Sequence, residues 1–506
     1  MTIDILMDKL LKEVRTVAVV CNQWGDTGKG KIVDVLAEWA DVIARGTGGN
    51  NAGHTTVVNG KERIFHLVPA GINYDSEGKI NILGNGMVID ISVLCSELDD
   101  LDKEGISHNN LMISKDAHVI MPYHLTRDAG SKSQKDGGIG TTGRGIGPCY
   151  TDKIARRGIT ISMLYDQDKL AKSIDRVKPY YPEQKIDTEE IISSLKPFAE
   201  RIWDYVADTI NEMHNFMIEG KKILLEGAQG LLLSIEYGTY PYVTSSDCSI
   251  NGTAAGVGLS AKAIDLPLGV VKFPFMTRVG AGPFPTELGG KKSEEYCSHG
   301  REHDVFYEAR TYLGMELDLD MVRKLQEKEE HKGLTLDERM EFELIKKQTK
   351  QYISENRNKI LEMIGIDDEF IQGIGIRLAA GEYGATTGRP RRVGWTDAVA
   401  AKYAIGINGM HIVLTKVDSL TGIDKFGICY GYGMCSGFNK ESGQISQVSP
   451  GILNYSGYRL DNFRAEHGYD RLPEVLKQAI NDFETFTSGV VRMISTGAER
   501  DQIIVK

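Results

Sequence analysis

The chain has 506 residues, of which 41% are hydrophobic, and its formal net charge is −11. A chain of this length can bury a large core, and its acidic balance excludes an overall basic surface for nucleic acid. The seven cysteines are scattered, odd in number and form no CxxC pair, which argues against a disulfide framework or a zinc ribbon. Because neither a secretory leader pattern nor an apolar run of membrane-spanning length is evident, we predict a soluble, cytoplasmic protein that binds neither membranes nor nucleic acid.

The first informative stretch is a glycine-rich loop between a short apolar run, 17–20, and a segment of helical spacing from Ile32. It reads Gly25-Asp26-Thr27-Gly28-Lys29-Gly30-Lys31. A strand, a glycine turn and a helix in this order surround an anion with backbone N–H groups and a helix N-terminus, as phosphate-binding loops do. Ile32 stands where the usual phosphate loop has the Ser or Thr that binds Mg²⁺. Asp26 can supply the missing metal ligand, act as a base, or do both.

Two further glycine-rich loops carry polar side chains. The loop at 45–56 contains Asn51 and His54, and it suits a reaction centre if it faces the first loop, as loops after neighbouring parallel strands do. The loop at 138–148 offers hydroxyls and backbone amides, and Arg156 follows it. These are phosphate ligands by type, although a solvated surface loop would have a similar composition.

Two long segments are predicted to be mostly helical, at 163–220 and 290–378. In the second, Thr335 and Glu338 have capping-box spacing. A rough apolar stripe follows, formed by Met340, Leu344, Ile345, Ile353, Ile360, Leu361 and Ile364. We interpret 290–378 as a charged helical insertion with a solvated face, and a partner-binding arm is the alternative.

A strand near 409–415 ends in Thr415-Lys416-Val417-Asp418. An Asp carboxylate can accept hydrogen bonds from guanine N1 and the 2-amino group, which adenine cannot supply, and the Lys stem can pack over the base. Together with the upstream phosphate loop, this tetrapeptide favours GTP. The strand ending in Ser495-Thr496-Gly497 could complete the base pocket.

These segments, in this order, resemble the adenylosuccinate synthetase family, and the resemblance covers nearly the whole chain outside the helical segment and the first dozen residues. The matching motifs begin at Gln23, Gly48, Gly140, Glu226, Gly238, Thr277, Gly384, Thr415 and Ile494. The resemblance implies an α/β fold with a large, mostly parallel central sheet flanked by helices, related to phosphate-loop GTP-binding folds, with helical insertions. It also implies a single domain over 1–506 that contains the insertion 290–378.

The activity implied by the resemblance is the GTP-dependent condensation of IMP with L-aspartate to adenylosuccinate through a 6-phosphoryl-IMP intermediate, the first committed step of AMP synthesis. Its implied catalytic residues are Asp26 as base, His54 as acid, and Gln229. Mg²⁺ would be held by Asp26 and the Gly53 carbonyl. A homodimer is implied, because Arg156 matches an arginine that reaches the neighbouring subunit's site.

The resemblance assigns the remaining site residues by ligand. For GTP they are Gly25, Gly28, Lys29, Gly30, Lys31, Gly53, Thr55, Arg391, Lys416, Asp418, Ser495 and Gly497. For IMP they are Asn51, Thr142, Arg156, Gln229, Thr244 and Arg389. For aspartate they are Val279, Thr386, Thr387, Arg389 and Arg391.

The sequence departs from the family pattern at Thr27, where Glu is usual, at Thr47, at Ser234 and Glu236, and at 247–250. Two alternatives therefore stay open. One is a paralogue that uses another purine monophosphate, such as dGMP; that branch typically lacks the catalytic Asp, which is present here as Asp26. The other is a non-catalytic GTP-binding regulatory protein, which would need neither an acid–base pair nor a carboxylate clamp.

Overall fold

The computed structural model describes residues 2–51, 53–58, 61–130, 141–330, 333–384, 388–433 and 437–506. Of the predicted site residues, Thr386 and Thr387 lie outside the described residues, as do the side chains of His54 and Thr55.

The strands of the described part are numbered in chain order. They are β1 Thr16–Cys21, β2 Val42–Arg45, β3 His54–Val58, β4 Lys61–Phe65, β5 Ile80–Leu83, β6 Val88–Ile89, β7 Leu111–Ser114, β8 His118–Val119, β9 Val206–Ala207, β10 Ile223–Glu226, β11 Leu266–Lys272, β12 Phe275–Arg278, β13 Arg392–Asp397, β14 His411–Thr415, β15 Lys425–Gly433, β16 Ser449–Ser456, β17 Val490–Ser495 and β18 Ile503–Val505.

A ten-stranded sheet forms the centre of the molecule, in the order β18-β17-β14-β11-β1-β10-β2-β5-β7-β9. Neighbouring strands run parallel except for the antiparallel pair β17 and β18. All residues of β1 are buried, as expected for a continuous apolar run covered on both faces. The predicted fold class, a large and mostly parallel sheet flanked by helices, is confirmed. A second sheet of order β12-β13-β15-β16 lies beside it.

The helices of the described part are numbered in the same way. They are α1 Thr2–Lys9, α2 Lys29–Ala37, α3 Ile91–Glu104, α4 Pro122–Ala129, α5 Ile146–Ile154, α6 Gln167–Val177, α7 Thr188–Ile202, α8 Thr209–Ile218, α9 Ile250–Ala255, α10 Gly290–Ser298, α11 Val305–Glu308, α12 Leu319–Glu330, α13 Leu336–Glu355, α14 Arg357–Gly365, α15 Glu369–Ala380, α16 Ala398–Asn408, α17 Ser442–Ile445 and α18 Glu474–Thr487. None of the helices described here is long and apolar enough to cross a membrane.

The segment 290–378 contains α10 to α14 and most of α15, which ends two residues later at Ala380, and it has two kinds of contact with the rest of the molecule. Its helices α14 and α15 contribute Ile360 and Ile374 to the large core cluster that includes Ile412 of β14. Helices α12 and α13 instead share a small separate cluster around Phe342 and Ile345.

The predicted capping box at the start of α13 is confirmed, with Thr335 and Glu338 bonding to each other's backbone N–H groups. The predicted apolar stripe is wrong at Met340 and Leu344, which are 65% and 54% exposed. The inward face of α13 is instead formed by residues at i, i+3 and i+7, which are Phe342, Ile345 and Thr349.

Candidate functional site

The loops that follow β1, β2 and β10 meet at one edge of the central sheet. A Cβ atom on Gly230 would lie 2.2 Å from the Gln23 carbonyl oxygen and 2.4 Å from the Gly25 nitrogen. A Cβ on Gly48 would lie 2.9 Å from the Cβ of Ala228. Glycine is therefore required at both positions for the loops to approach each other. The first and second glycine-rich loops therefore both contact the loop that follows β10.

The first loop turns through left-handed backbone conformations before α2 begins. Gly25 and Gly28 have φ of 86° and 75°, and Asp26, with φ of 47°, is one of few non-glycine residues in this region. Gly28 is the N-cap of α2 and has no side chain to bond the first helical N–H groups. These groups, starting at Lys29 and Gly30, are thus available to an anion, as at other phosphate-binding helix N-termini.

A chain of charges links Asp26 to the interior. The Nε of Arg391 lies 2.7 Å from Asp26 Oδ2, and Arg391 also donates to Glu382 Oε2 over 2.8 Å. The Nζ of Lys272, at the end of β11, donates to the same oxygen over 2.6 Å. The side chains of Lys272 and Glu382 are 1% and 0% exposed, whereas that of Asp26 is 37% exposed. The chain of charges therefore presents its Asp26 end to solvent.

The two cations keep Glu382 ionised. Burial alone would raise the pKa of Glu382, but the charges of Lys272 and Arg391 outweigh it and lower the pKa to about 2. Burial lowers the pKa of Lys272 to about 8, although Glu382 opposes this shift. At neutral pH Glu382 is charged and Lys272 largely so, and each compensates the other's loss of hydration.

The two lysines of the first loop point to different places. Lys29 Nζ donates to the Gln229 carbonyl over 2.9 Å. Lys31 Nζ instead donates to Ser495 Oγ over 2.9 Å and to the Gly497 carbonyl over 2.7 Å. Burial lowers the pKa of Lys31 to about 8. Lys29 thus lies where the loops after β1 and β10 meet, and Lys31 lies beside the predicted guanine pocket.

The Thr415–Asp418 turn lies beside the same loop. Thr415 Oγ1 donates to the Thr27 carbonyl over 2.6 Å. Lys416 has a φ of 61°, and its Nζ donates to the Ala380 carbonyl over 2.9 Å. Burial raises the pKa of Asp418, as expected for a carboxylate within an enclosed pocket.

Just before β13, the residues on the two sides of the predicted aspartate loop pair with each other. We call residues 382–384 and 388–392 the arginine neck. Gly384 N–H donates to the Arg389 carbonyl over 2.8 Å, and Arg391 N–H donates to the Glu382 carbonyl over 3.0 Å. Nearby, Val279 N–H donates to the Trp24 carbonyl over 3.1 Å, so Val279 adjoins the first loop.

Other predicted residues lie farther from this centre. Thr244 N–H bonds to the Leu233 carbonyl, and Leu233 packs against the position of Gly25. Thr142 is exposed, and Arg156 is exposed with φ of 60° just after α5. Among the described residues, no hydrogen bond or ion pair joins Thr142 or Arg156 to the first loop.

Two of the departures from the family pattern contact each other. Ser234 Oγ donates to Asp247 Oδ1 over 3.1 Å, and Ser249 N–H donates to the same oxygen over 2.9 Å. Thr27 is fully buried, and its hydroxyl has no hydrogen-bond partner within the described part of the chain. An enclosed threonine fits this space without the cost of burying an unpaired charge.

Sequence reasoning missed three residues at this site. Glu382 binds Arg391, and Lys272 in turn binds Glu382. The one available signal in the sequence was that the apolar run of β11 ends in a charged residue, Lys272. Asn50 is 3% exposed, and neither polar atom of its amide has a partner among the residues described. Its position beside Asn51 in a glycine-rich loop could have drawn attention to it.

Comparisons with known proteins agree with this geometry. The family model described as adenylosuccinate synthetase matches residues 18–353 and 365–504. The chain is 37% identical over 512 residues to an adenylosuccinate synthetase of Caldicellulosiruptor saccharolyticus, covering 97% of this chain and 98% of that protein. It is 36% identical to one from Thermodesulfovibrio yellowstonii, covering 97% and 99%.

Solved structures give the same result. A fully ligated adenylosuccinate synthetase from Plasmodium falciparum aligns with a TM-score of 0.74 at 31% identity, covering 97% of this chain and 100% of that one. Succinoaminodeoxyadenylate synthetase of cyanophage S-2L, bound to dGMP and dATP, aligns with a TM-score of 0.51 at 17% identity and shows a shared fold alone. The enzyme class predicted from the sequence is confirmed. Matched over nearly its full length by family model, relatives and solved structure, the chain belongs to the adenylosuccinate synthetase family.

Proposed function

We propose that this protein condenses IMP with L-aspartate to adenylosuccinate, using GTP and releasing GDP and phosphate, as the first committed step of AMP synthesis. Beyond family membership, the observation that carries this proposal is the 2.7 Å ion pair between Asp26 and Arg391. It places a candidate base of the phosphate loop beside an arginine suited to bind carboxylates or phosphoryl oxygens. A nucleotide and an amino acid can thus meet at one point.

In the proposed first step, Asp26 accepts the N1 proton of IMP, and O6 forms a bond to the γ-phosphorus of GTP. The bond from that phosphorus to the bridging oxygen breaks, and His54 donates a proton to the leaving GDP. Arg391 supplies positive charge beside the transferring group. In the second step the aspartate amine attacks C6 and phosphate departs, because a phosphoryl oxygen is a better leaving group than an oxo group.

The ligand contacts are proposed as the resemblance assigns them. The α2 N-terminus and Lys29 would bind the GTP phosphates, while Asp418 and Ser495 would bind the guanine. Lys31, which already bonds Ser495 Oγ and the Gly497 carbonyl, would act by holding that pocket together. Gln229, Thr142, Thr244 and Asn51 would contact IMP, and Arg389 would bind aspartate with the 386–387 loop.

Mg²⁺ fits this site by donor type. The described residues contain no cluster of three or more His, Cys, Asp or Glu side chains. Mg²⁺ needs no such cluster, because it is commonly held by one or two protein oxygens together with water and substrate phosphates. The partly exposed Asp26 carboxylate and the Gly53 carbonyl would hold it. When bound, the ion would neutralise charge on the phosphates.

We also propose a homodimer in which Arg156 reaches the partner's nucleotide, and a single domain over 1–506 with 290–378 as an insertion. The exposure of Arg156 at the end of α5 supports the first proposal. Sedimentation with IMP and GTP bound tests it, and a monomer under those conditions would contradict it. The cytoplasmic location stays a prediction.

A turnover assay tests the main proposal. The protein is incubated with aspartate, Mg²⁺ and either IMP or dGMP, with GTP or ATP as donor. We expect the absorbance change that accompanies conversion of the purine only when IMP is the acceptor and GTP is the donor. Turnover of dGMP but not IMP would favour the paralogue, and GTP binding without turnover of either nucleotide would favour the regulatory alternative. Presence of Asp26 makes IMP the expected acceptor.

A further inference from the structure

A buried hydrogen-bond network joins the helical segment 290–378 to the arginine neck. The hydroxyl of Tyr383 donates to Glu308 Oε2 over 2.6 Å, and Arg377 Nε donates to Glu308 Oε1 over 2.9 Å. Glu308 ends α11 and Arg377 lies within α15, so both belong to the segment. Their side chains are 0% exposed.

Tyr383 and Glu382 are adjacent, and they anchor the neck to two different networks. Tyr383 forms an isolated antiparallel bridge with Pro390 across the neck, and successive residues of an extended strand direct their side chains to opposite faces. Glu382 accordingly bonds Lys272 and Arg391 near Asp26, whereas Tyr383 bonds the segment. The neck is therefore held from both faces.

A second contact lies on the same part of the segment. A Cβ on Gly300 would be 3.4 Å from Arg389 Nε, and one on Gly388 would be 3.9 Å from Arg301 Cγ and Nε. The turn at Gly300 and Arg301 thus packs along the neck where Arg389 emerges. Three separate stretches of the segment therefore contact the arginine neck, at 300–301, at 308, and at Glu294, whose carboxylate lies 3.1 Å from Arg392.

We propose that the segment 290–378 positions the arginine neck for aspartate, with Glu308 and Arg377 fixing Tyr383 and, through it, Arg389 and Arg391. The inference rests on the proposed function, in which these arginines bind aspartate. If the neck were disordered, only a fraction of the molecules could bind aspartate at any moment, and the apparent affinity for aspartate would fall by that fraction. A neck already held in its binding geometry avoids this loss. Glu308, Arg377 and Tyr383 are positioning residues, because they act through the neck.

Tyr383→Phe tests the inference by removing the hydroxyl and keeping the ring. Its matched control is Tyr352→Phe in α13, whose hydroxyl is 3.5 Å from the Leu313 carbonyl and distant in sequence from the neck. We expect the KM for aspartate to rise about tenfold in Tyr383→Phe, as for loss of a hydrogen bond to a buried charge. The KM values for IMP and GTP should rise less, because Arg389 and Arg391 are only one of several proposed contacts for each nucleotide, and the control should behave as the native protein. Glu308→Gln, checked for folding by thermal melting, should repeat the selective rise.

Hydrogen exchange gives a readout that does not need activity. The amides of Gly384 and Arg391 close the neck, and we expect both to exchange faster in Tyr383→Phe than in Tyr352→Phe without substrates. If the native protein does not turn over IMP and aspartate, the proposed function fails. Unchanged hydrogen exchange at Gly384 and Arg391 in Tyr383→Phe would, as a separate result, overturn the inference. In an active protein, an unchanged aspartate KM, or an equal rise in all three KM values, overturns it.

Discussion

The first glycine-rich loops and the arginine neck meet at Asp26 but are organised in opposite ways. On the loop side, Asn50 and the Oδ1 of Asn51 have no partner among the described residues, and the backbone is shaped by glycines. On the neck side, Glu382 and Arg391 are held by ion pairs and a hydrogen bond, although one atom of each, Glu382 Oε1 and Arg391 Nε, lacks a hydrogen-bond partner within the described part of the chain. The loop side therefore offers groups that a ligand would satisfy, whereas the neck is organised by the protein itself.

This difference predicts different consequences of mutation. Loss of a side chain on the loop side should change turnover or binding and leave folding nearly intact. Loss on the neck side should change stability as well. Three substitutions test this contrast and a fourth, at Asp397, lies outside both regions; they follow in order of expected effect.

The largest effect is expected for Asp26→Ala. Removal of a general base typically costs 10²- to 10⁴-fold in rate, so we expect turnover of IMP to fall by about a thousandfold or more. Because Asp26 is partly exposed, the melting temperature should change little. Single-turnover kinetics with IMP, aspartate and GTP measures the loss, and an appreciable residual rate would refute the assignment of Asp26 as base.

Glu382→Gln should destabilise the fold as well as reduce turnover. The substitution leaves Lys272 and Arg391 without their buried counter-charge, a change that typically costs about 3–5 kcal/mol. Denaturant unfolding at pH 7 measures it. Glu294→Gln is the control, since Glu294 is a 41% exposed partner of Arg392 and should contribute at most about 1 kcal/mol. Equal losses in the two variants would contradict the interpretation.

The folded-state pKa of Glu382 also predicts its pH dependence. Because that pKa is lowered to about 2, its stabilisation is present above the unfolded pKa of about 4.3 and is lost as pH falls toward 2. The advantage of the native protein over Glu382→Gln should therefore shrink in acid.

Asp397, at the end of β13, should show the reverse pH dependence. It caps α16, and burial raises its pKa to about 6, although hydrogen bonds from Tyr432 and the helix oppose the shift. A raised pKa makes the folded state lose stability as pH rises from about 4 to 6, by about 3 kcal/mol. Unfolding free energies of the native protein and Asp397→Asn between pH 4 and 7 measure this. A difference between them that does not vary with pH would contradict it.

Asn50→Ala should have the smallest effect on folding. Its amide has no partner to lose among the residues that the structure describes, so the free energy of unfolding should change by less than about 1 kcal/mol. We expect the KM for IMP to rise about tenfold through a lost ligand hydrogen bond. Steady-state kinetics and melting measure the two quantities, and a large loss of stability with unchanged KM would place Asn50 with the neck instead.

Local sequence patterns were sufficient for much of the fold and part of the site. The apolar run 17–20 predicted the strand β1, and the glycines from Gly25 to Gly30 predicted the phosphate-type turn before α2, whereas the parallel sheet was implied by the family resemblance. The strand and the turn could be predicted because hydrophobic runs and φ preferences are properties of neighbouring residues. Helix spacing failed at Met340 and Leu344, because the first part of α13 packs on the small cluster around Phe342 and leaves these two side chains in solvent, whereas Tyr352 and Ile353 near its end pack against the large core.

Residues that meet across the chain could not be paired from sequence. Lys272 and Glu382 are 110 positions apart, and Glu308 and Tyr383 are 75 apart. Nothing in the sequence around these four residues distinguishes them from charged or aromatic residues at the surface. The sequence by itself determined the family, the mostly parallel sheet and the glycine-rich loops that we predict to bind phosphate. Only the tertiary structure decided how Arg391 is held against Asp26 and how the helical segment reaches the neck, because burial and charge compensation depend on what surrounds a side chain in space.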